Sequence, residues 1–128
     1  MNKPTFTATY AEQKTFFPFG DGTIIGFLGE TIVENWKQPN APEDAEPLTG
    51  YSYTGTRKDG GTLMPCDNPQ DYGQLTNAII RSKYSESEEM AIHRHYANSS
   101  EDYHEEWLEY NQFCEDAKIL AKLWLGID

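Results

Sequence analysis

Three histidines and one glutamate are the residues of this chain whose types and spacing come closest to a metal site. His93, His95 and His104 lie close together in sequence, and Glu89 precedes His93 by one helical turn. Imidazole and carboxylate groups are ligands that zinc takes in proteins. However, residues two positions apart point about 200° away from each other on a helix. His93 and His95 therefore cannot bind one ion from a regular helix, and we expect polar surface histidines and no metal.

Neighbouring carboxylates are the second group that could do chemistry. General acid–base catalysis needs two carboxyl groups in different environments, one of them withdrawn from water. Four adjacent pairs of acids fall in the predicted helices, where adjacent carboxylates on an exposed face are usually both solvated. The pairs are Glu88/Glu89, Glu101/Asp102, Glu105/Glu106 and Glu115/Asp116.

Phosphate-binding and nucleophile motifs are missing from the sequence. The glycine-rich segments 20–22 and 59–61 lead into no helix and lack the Lys-Ser/Thr ending of a phosphate loop, so we predict hairpin turns. No G-x-S-x-G motif occurs, and neither Cys66 nor Cys114 lies among basic residues. The sequence therefore predicts a protein that is not an enzyme, with no catalytic residues and no cofactor.

The charge of the chain is strongly negative and unevenly placed. The 128 residues carry a formal charge of −11. Residues 1–66 hold five Lys/Arg against eight Asp/Glu, a balance of −3, and residues 67–128 hold five against thirteen, a balance of −8. Such a surface repels phosphate backbones, so we expect no direct nucleic-acid binding. A basic protein partner is compatible with it.

The cellular compartment is predicted from the termini and the cysteines. The first residues lack the apolar core of a signal peptide, and no stretch approaches 18 apolar residues. We expect a protein of the cytoplasm that does not associate with membranes. Two cysteines are too few for a disulfide framework, although the sequence alone does not decide whether Cys66 and Cys114 form a single bridge.

The first half of the chain predicts strands and turns. Alternating or β-prone segments occur at residues 5–10, 16–19, 23–28, 30–36, 50–55 and 62–64, separated by glycine turns and by a proline- and acid-rich loop at 38–47. Four or five short strands indicate one small antiparallel sheet, with 30–36 beside 23–28. The glycine pair at 60–61 predicts a hairpin into the last strand.

The second half predicts three helices. Asn68 fits an N-cap with Pro69 as the first helical residue, and this helix extends to about Tyr84. Residues 85–88, Ser-Glu-Ser-Glu, form a capping box that begins a second helix ending at 98–100. Ser99 and Asp102 are expected to cap a third, long helix that ends at Gly126. The fold class is therefore α+β: one domain over residues 1–128, with a β-rich part (1–66) and a helical part (67–128).

The third helix is amphipathic, with an aromatic seam on one side and acids on the other. The seam residues fall at alternating steps of four and three; they are Tyr103, Trp107, Tyr110, Cys114, Ala117, Ala121 and Trp124. This spacing favours a core-facing stripe. The alternative is a binding face for another protein, since Tyr and Trp are enriched at interfaces. The candidate interaction surface therefore comprises Tyr103, Trp107, Tyr110, Trp124, Glu105, Glu106 and Glu109.

One segment of the helical part resembles a known group of proteins. An apolar-x-Arg-x-x-Tyr-Ser segment, Ile79 to Ser85, leads into the acidic helix, and a helix containing Glu109-Tyr110 follows. Over about residues 77–115 this resembles small accessory proteins encoded among phage and prophage structural genes. The resemblance implies a tail- or virion-associated role and brings no enzymatic residues. We expect an accessory protein acting through protein–protein contacts, with a protein partner or by self-association. The alternative is an acidic, nucleic-acid-mimicking inhibitor of a basic host protein.

Overall fold

The computed structural model describes residues 5–127 and shows the predicted α+β fold, with strands followed by three helices. The elements are β1 (Phe6–Tyr10), β2 (Phe16–Pro18), β3 (Thr23–Gly26), β4 (Thr31–Trp36), β5 (Leu48–Gly55), β6 (Thr62–Pro65), α1 (Tyr72–Lys83), α2 (Glu86–Asn98) and α3 (His104–Leu125). The chain divides into two compact units, residues 1–63 and 64–128, called here the β unit and the helical unit. That the whole chain is one domain stays a prediction.

The strands form two sheets, so the predicted single sheet of four or five strands is wrong. One sheet has the order β1-β5-β4 and the other the order β2-β3-β6, with antiparallel β1–β5, β4–β5 and β2–β3 pairs. The predicted pairing of residues 30–36 with 23–28 is also wrong, because both edges of β3 are occupied by β2 and β6. Strand β4 pairs with β5 instead, and Asn35 (φ 56°) interrupts the register near Trp36.

The two glycine turns have different outcomes. The turn at 20–22 is the predicted hairpin: Phe19 N–H donates to the Thr23 carbonyl at 3.1 Å, and the turn joins the paired strands β2 and β3. The turn at 57–61 is tight, with Arg57 N–H donating to the Gly61 carbonyl at 3.0 Å, but its flanking strands lie in different sheets. The predicted hairpin is wrong there because β5 already has β1 and β4 as neighbours.

The core of the β unit is built around one tyrosine. Ile24 and Tyr53 are 0% and 1% exposed, and the Tyr53 ring packs edge-on to Phe27 with 5.5 Å between ring centroids. The Tyr53 hydroxyl accepts a hydrogen bond from Lys14 N–H at 2.7 Å and donates one to Glu30 at 2.6 Å. A buried hydroxyl of this kind stabilises the fold only because both of these partners are present.

The first helix begins later than the sequence predicts. Asp71 is the N-cap, and its carboxylate accepts from Gln74 N–H at 3.1 Å. The predicted cap residue, Asn68, instead accepts from Gln70 N–H at 3.2 Å. That bond closes a local turn, so residues 68–70 lie before the helix and Asn68 cannot reach its first N–H groups.

The other helix ends are largely as predicted. The Ser85/Glu88 capping box is confirmed, as is the end of α2 at Asn98. Gly126 ends α3 in the left-handed conformation (φ 69°), which glycine adopts without strain. The start of α3 was predicted too early: the Ser99 hydroxyl donates to Asp102 itself, so neither side chain caps the helix, which begins at His104.

The helical unit has an aliphatic core from α1 and small residues from α3. Leu75 and Ile79 of α1 are 0% and 2% exposed, and Ala117 and Ala121 of α3 are equally buried. Helix α2 contributes one buried residue, Ile92. The helix α3 therefore packs through its small residues against α1, whereas its contacts with α2 are mostly aromatic. Within residues 5–127, no helix is long enough and apolar enough to cross a membrane.

Candidate interaction surface

The structure divides the predicted interaction surface between two faces of α3. Tyr110 is 5% exposed, and Trp107 and Trp124 are half-buried, so these aromatic residues belong to the inner face. Tyr103, at 38% exposed, lies at the rim. Glu105 is exposed on the outer side, whereas Glu106 and Glu109, which were also predicted there, flank the inner face and line a groove between the helices. The seven predicted residues therefore do not share one surface.

Aromatic stacking between α2 and α3 orders the inner face. Trp107 stacks on Tyr96 with centroids 4.6 Å apart and meets His93 edge-on at 5.1 Å. At the end of this row, Tyr103 stacks on His95 at 4.4 Å. Paired rings at these distances stabilise packing beyond their buried area. The inner face is thus occupied by the chain's own helices over Tyr103 to Tyr110.

A hydrogen-bonded network links all three helices below this row. The Tyr110 hydroxyl donates to one oxygen of Glu89, and Arg81 contacts the other at 2.8 Å. Burial alone would raise the pKa of Glu89, but the bonds from Tyr110 and Arg81 outweigh it and lower that pKa. Burial, and then the bond to Glu89, raise the pKa of Tyr110, so the pair is carboxylate and neutral phenol.

His93 and His95 take part in these contacts, and the three histidines do not converge. His93 lies against Trp107, with its Nε2 3.5 Å from the Tyr110 hydroxyl, whereas His95 Nδ1 lies 3.0 Å from Glu106. His104 is exposed at the start of α3. Among residues 5–127, no group of three or more His, Cys, Asp or Glu side chains is placed to hold a metal ion.

The two cysteines carry free thiols in the helical unit. Cys66 is buried and Cys114 is half-buried. Burial raises the pKa of both thiols above the usual value, which lowers the fraction of reactive thiolate at neutral pH. The arrangement therefore gives neither cysteine the properties of a nucleophile.

An exposed apolar row on α3 escaped the sequence prediction. Leu108, Ile119 and Leu123 are 47%, 65% and 61% exposed, and they lie on the side opposite the buried alanines. Ile119 and Leu123 are one turn apart, and Leu108 lies about three turns earlier on the same side, with the polar Gln112 and Glu115 between them. We call these three residues the outer row. The aromatic seam is the stronger pattern along this helix, and the prediction from sequence did not include the three aliphatic residues of the outer row.

A groove beside α3 also escaped prediction. It has a volume of about 370 Å³ and is lined by Lys83, Tyr84, Glu88, Ala91, Ile92, Glu106 and Glu109. The Lys83 ammonium lies over the Tyr84 and Phe113 rings, 5.4 and 4.9 Å from their centroids, and 3.8 Å from Glu109. These residues come from three helices, so only the tertiary fold brings them together.

Comparisons of the sequence with protein-family models and with curated proteins, and of the fold with solved structures, gave no significant match.

Proposed function

We propose that this protein is a non-enzymatic accessory protein that acts through protein–protein contacts during assembly of a phage tail or particle. The outer row of α3 is the observation that carries the contact part of the proposal. Large apolar side chains that remain exposed as a row on one helix face are typical of surfaces that a partner covers. The resemblance of residues 77–115 to phage accessory proteins supports the assembly context.

The outer row gives this proposal a matched test. Ile119 on α3 and Met90 on α2 are both 65% exposed, so Ile119→Glu and Met90→Glu add the same charge at equally accessible sites. We expect wild type and Met90→Glu to self-associate or retain the same partner from lysate of the protein's own host or phage, and Ile119→Glu to lose that association. Size-exclusion chromatography with light scattering and affinity capture measure it. A strictly monomeric protein that captures no partner would contradict the proposal.

A second candidate function, the acidic inhibitor of a basic host protein, is favoured by the exposed carboxylates. Glu105 and Glu109 are exposed one turn apart on α3, in the half of the chain that carries a balance of −8. This function predicts binding that weakens with salt and is competed by DNA or RNA. If reversal of charge at Glu105, Glu106 and Glu109 left partner binding intact, the inhibitor function would be wrong.

A further inference from the structure

We propose that the groove of the helical unit binds a lysine or arginine side chain from a basic segment of the partner protein, and that Lys83 occupies this cation position in the free protein. The proposal rests on the protein-contact function and adds to it the place of contact and the chemistry of the partner. It concerns the groove lined by Lys83, Tyr84, Glu88, Ala91, Ile92, Glu106 and Glu109.

Lys83 marks the cation position. Its ammonium lies within 6 Å of two ring centroids, Tyr84 and Phe113, and 3.8 Å from the Glu109 carboxylate. A cation placed over aromatic faces and beside a carboxylate has the surroundings of a cation-π site. Lys83 is the last residue of α1, and its side chain remains 46% exposed, so it can leave this position without disturbing the buried core.

The walls of the groove suit the rest of a basic side chain. Ile92 is buried and Ala91 is half-buried, and together they give an apolar surface against which a four-carbon stem can pack. A volume of about 370 Å³ exceeds what one such side chain needs. The groove therefore offers space and apolar contact in addition to charge.

The charges of the groove are complementary to a cation. Three carboxylates, from Glu88, Glu106 and Glu109, line it against the single ammonium of Lys83. Their negative charge also acts on Tyr84: after burial, the carboxylates of Glu109, Glu88 and Glu106 are among the causes that raise the pKa of the Tyr84 hydroxyl. Glu109 has a side chain that is 73% exposed and holds Lys83 loosely, so it can pair with an incoming cation.

The test uses n-butylammonium chloride as the probe for a lysine side chain and 1-butanol as the uncharged control, followed by NMR signals of Ala91, Ile92 and Tyr84. At constant ionic strength, we expect butylammonium to shift these signals in a saturable way at millimolar concentration and butanol, which carries the same stem without the charge, to shift them far less. The affinity for a single side chain is weak because few contacts form.

Two lysine variants separate the groove from general attraction to an acidic protein. Lys83→Met removes the ammonium from the cation position, and Lys118→Met makes the same change in net charge at an exposed site on α3, where Lys118 pairs with Glu115 at 3.0 Å. We expect Lys83→Met to bind butylammonium about two- to fivefold more tightly, and Lys118→Met to bind like wild type. In the Lys83→Met protein, Glu109→Gln should weaken binding again. Circular dichroism verifies that each variant keeps its helices.

Equal gains in both lysine variants would overturn the proposal, because net charge alone would then explain them. Equal shifts with butanol would also overturn it, since the groove would then be an apolar site. If affinity capture recovers a partner lost in Ile119→Glu while butylammonium leaves the groove signals unchanged, the contact function stands and the assignment of the groove is wrong.

Discussion

The β unit and the helical unit each bury one tyrosine whose hydroxyl donates to a glutamate, yet the two arrangements differ in what secures them. In the β unit, Tyr53 also accepts from the backbone N–H of Lys14, and its partner Glu30 is exposed and bonded to Gln13 at 3.0 Å. In the helical unit, the partner of Tyr110 is the partly buried Glu89, which Arg81 neutralises. The backbone N–H of Lys14 helps to hold the Tyr53 hydroxyl in place, whereas the Glu89–Arg81 ion pair holds the Tyr110 hydroxyl.

The difference follows from the secondary structure around each residue. A β unit of short strands and loops leaves backbone N–H groups, such as that of Lys14, in need of acceptors inside the fold. Helices satisfy their own backbone, so three packed helices can be locked together only through side chains. The helical unit therefore relies on side-chain contacts, among them the partly buried Glu89–Arg81 ion pair. Its stability should respond more to the loss of Glu89 than that of the β unit responds to the loss of Glu30.

Removal of the carboxylates should show the largest contrast. Glu89→Ala leaves Arg81 and Tyr110 without their partner in a partly buried site, and we expect a loss of about 2–3 kcal/mol in the free energy of unfolding. Glu30→Ala should cost about 1 kcal/mol, because water can replace an exposed carboxylate. Urea unfolding followed by circular dichroism measures both. Equal losses would show that the two tyrosines are secured in the same way.

Removal of the two tyrosine hydroxyls should reverse the order of the stability losses, with the larger loss in the β unit. Tyr53→Phe leaves the backbone N–H of Lys14 without its acceptor, and we expect a loss of about 1–2 kcal/mol. Tyr110→Phe leaves Glu89 paired with Arg81 and should cost about 1 kcal/mol or less. The same urea unfolding applies to each. A larger loss in Tyr110→Phe than in Tyr53→Phe would contradict the role given to the backbone bond.

A pair of aspartates compares local turns in the two units. Asp71 caps α1 through Gln74 N–H, and Asp21 accepts from Thr23 N–H in the hairpin, each at 3.1 Å. Asp71→Ala should cost about 1 kcal/mol, as for other helix caps. Asp21→Ala should cost less, because strand pairing and the glycines also define that turn. As a control, Asn68→Ala should have a smaller effect than Asp71→Ala; the opposite result would restore Asn68 as the cap.

Local signals in the sequence predicted the class of fold and most element ends, because caps and turns depend on neighbouring residues. Ser85, Glu88 and Gly126 are examples. Sheet partners were not predictable in this way, since whether β4 pairs with β3 or β5 depends on which strand edges are already occupied. Asn68 and Asp71 show the limit even for local signals: both residues suit a cap, and the structure uses the second.

The candidate sites were less predictable than the fold. The aromatic seam was predicted on α3, but the outer row on the same helix was not, because the aromatic pattern is the stronger of the two. The groove combines Lys83 from α1, Ile92 from α2 and Glu109 from α3, and no spacing in the sequence reports that they meet. The network around Glu89 is the same kind of feature: the sequence pointed to Glu89 as a metal ligand candidate, whereas its partners are Arg81 and Tyr110.

The stability of the helical unit should depend on pH through the ionisation of Glu89. Because the folded pKa of Glu89 is lowered from its usual value of 4.5, its ionised form is stabilised in the folded state. That contribution is fully present above pH 4.5 and is lost as the pH falls through the lowered pKa. Glu89→Gln should therefore be less stable than wild type at neutral pH, and this difference in stability should narrow as the pH falls below 4.5. Urea midpoints of both proteins measure this difference, in which the titration of the other carboxylates cancels. A difference in stability that stays constant with pH would mean that Glu89 acts through packing and hydrogen bonds and not through its charge. The Tyr110 site would then be held by hydrogen bonds, as the Tyr53 site is.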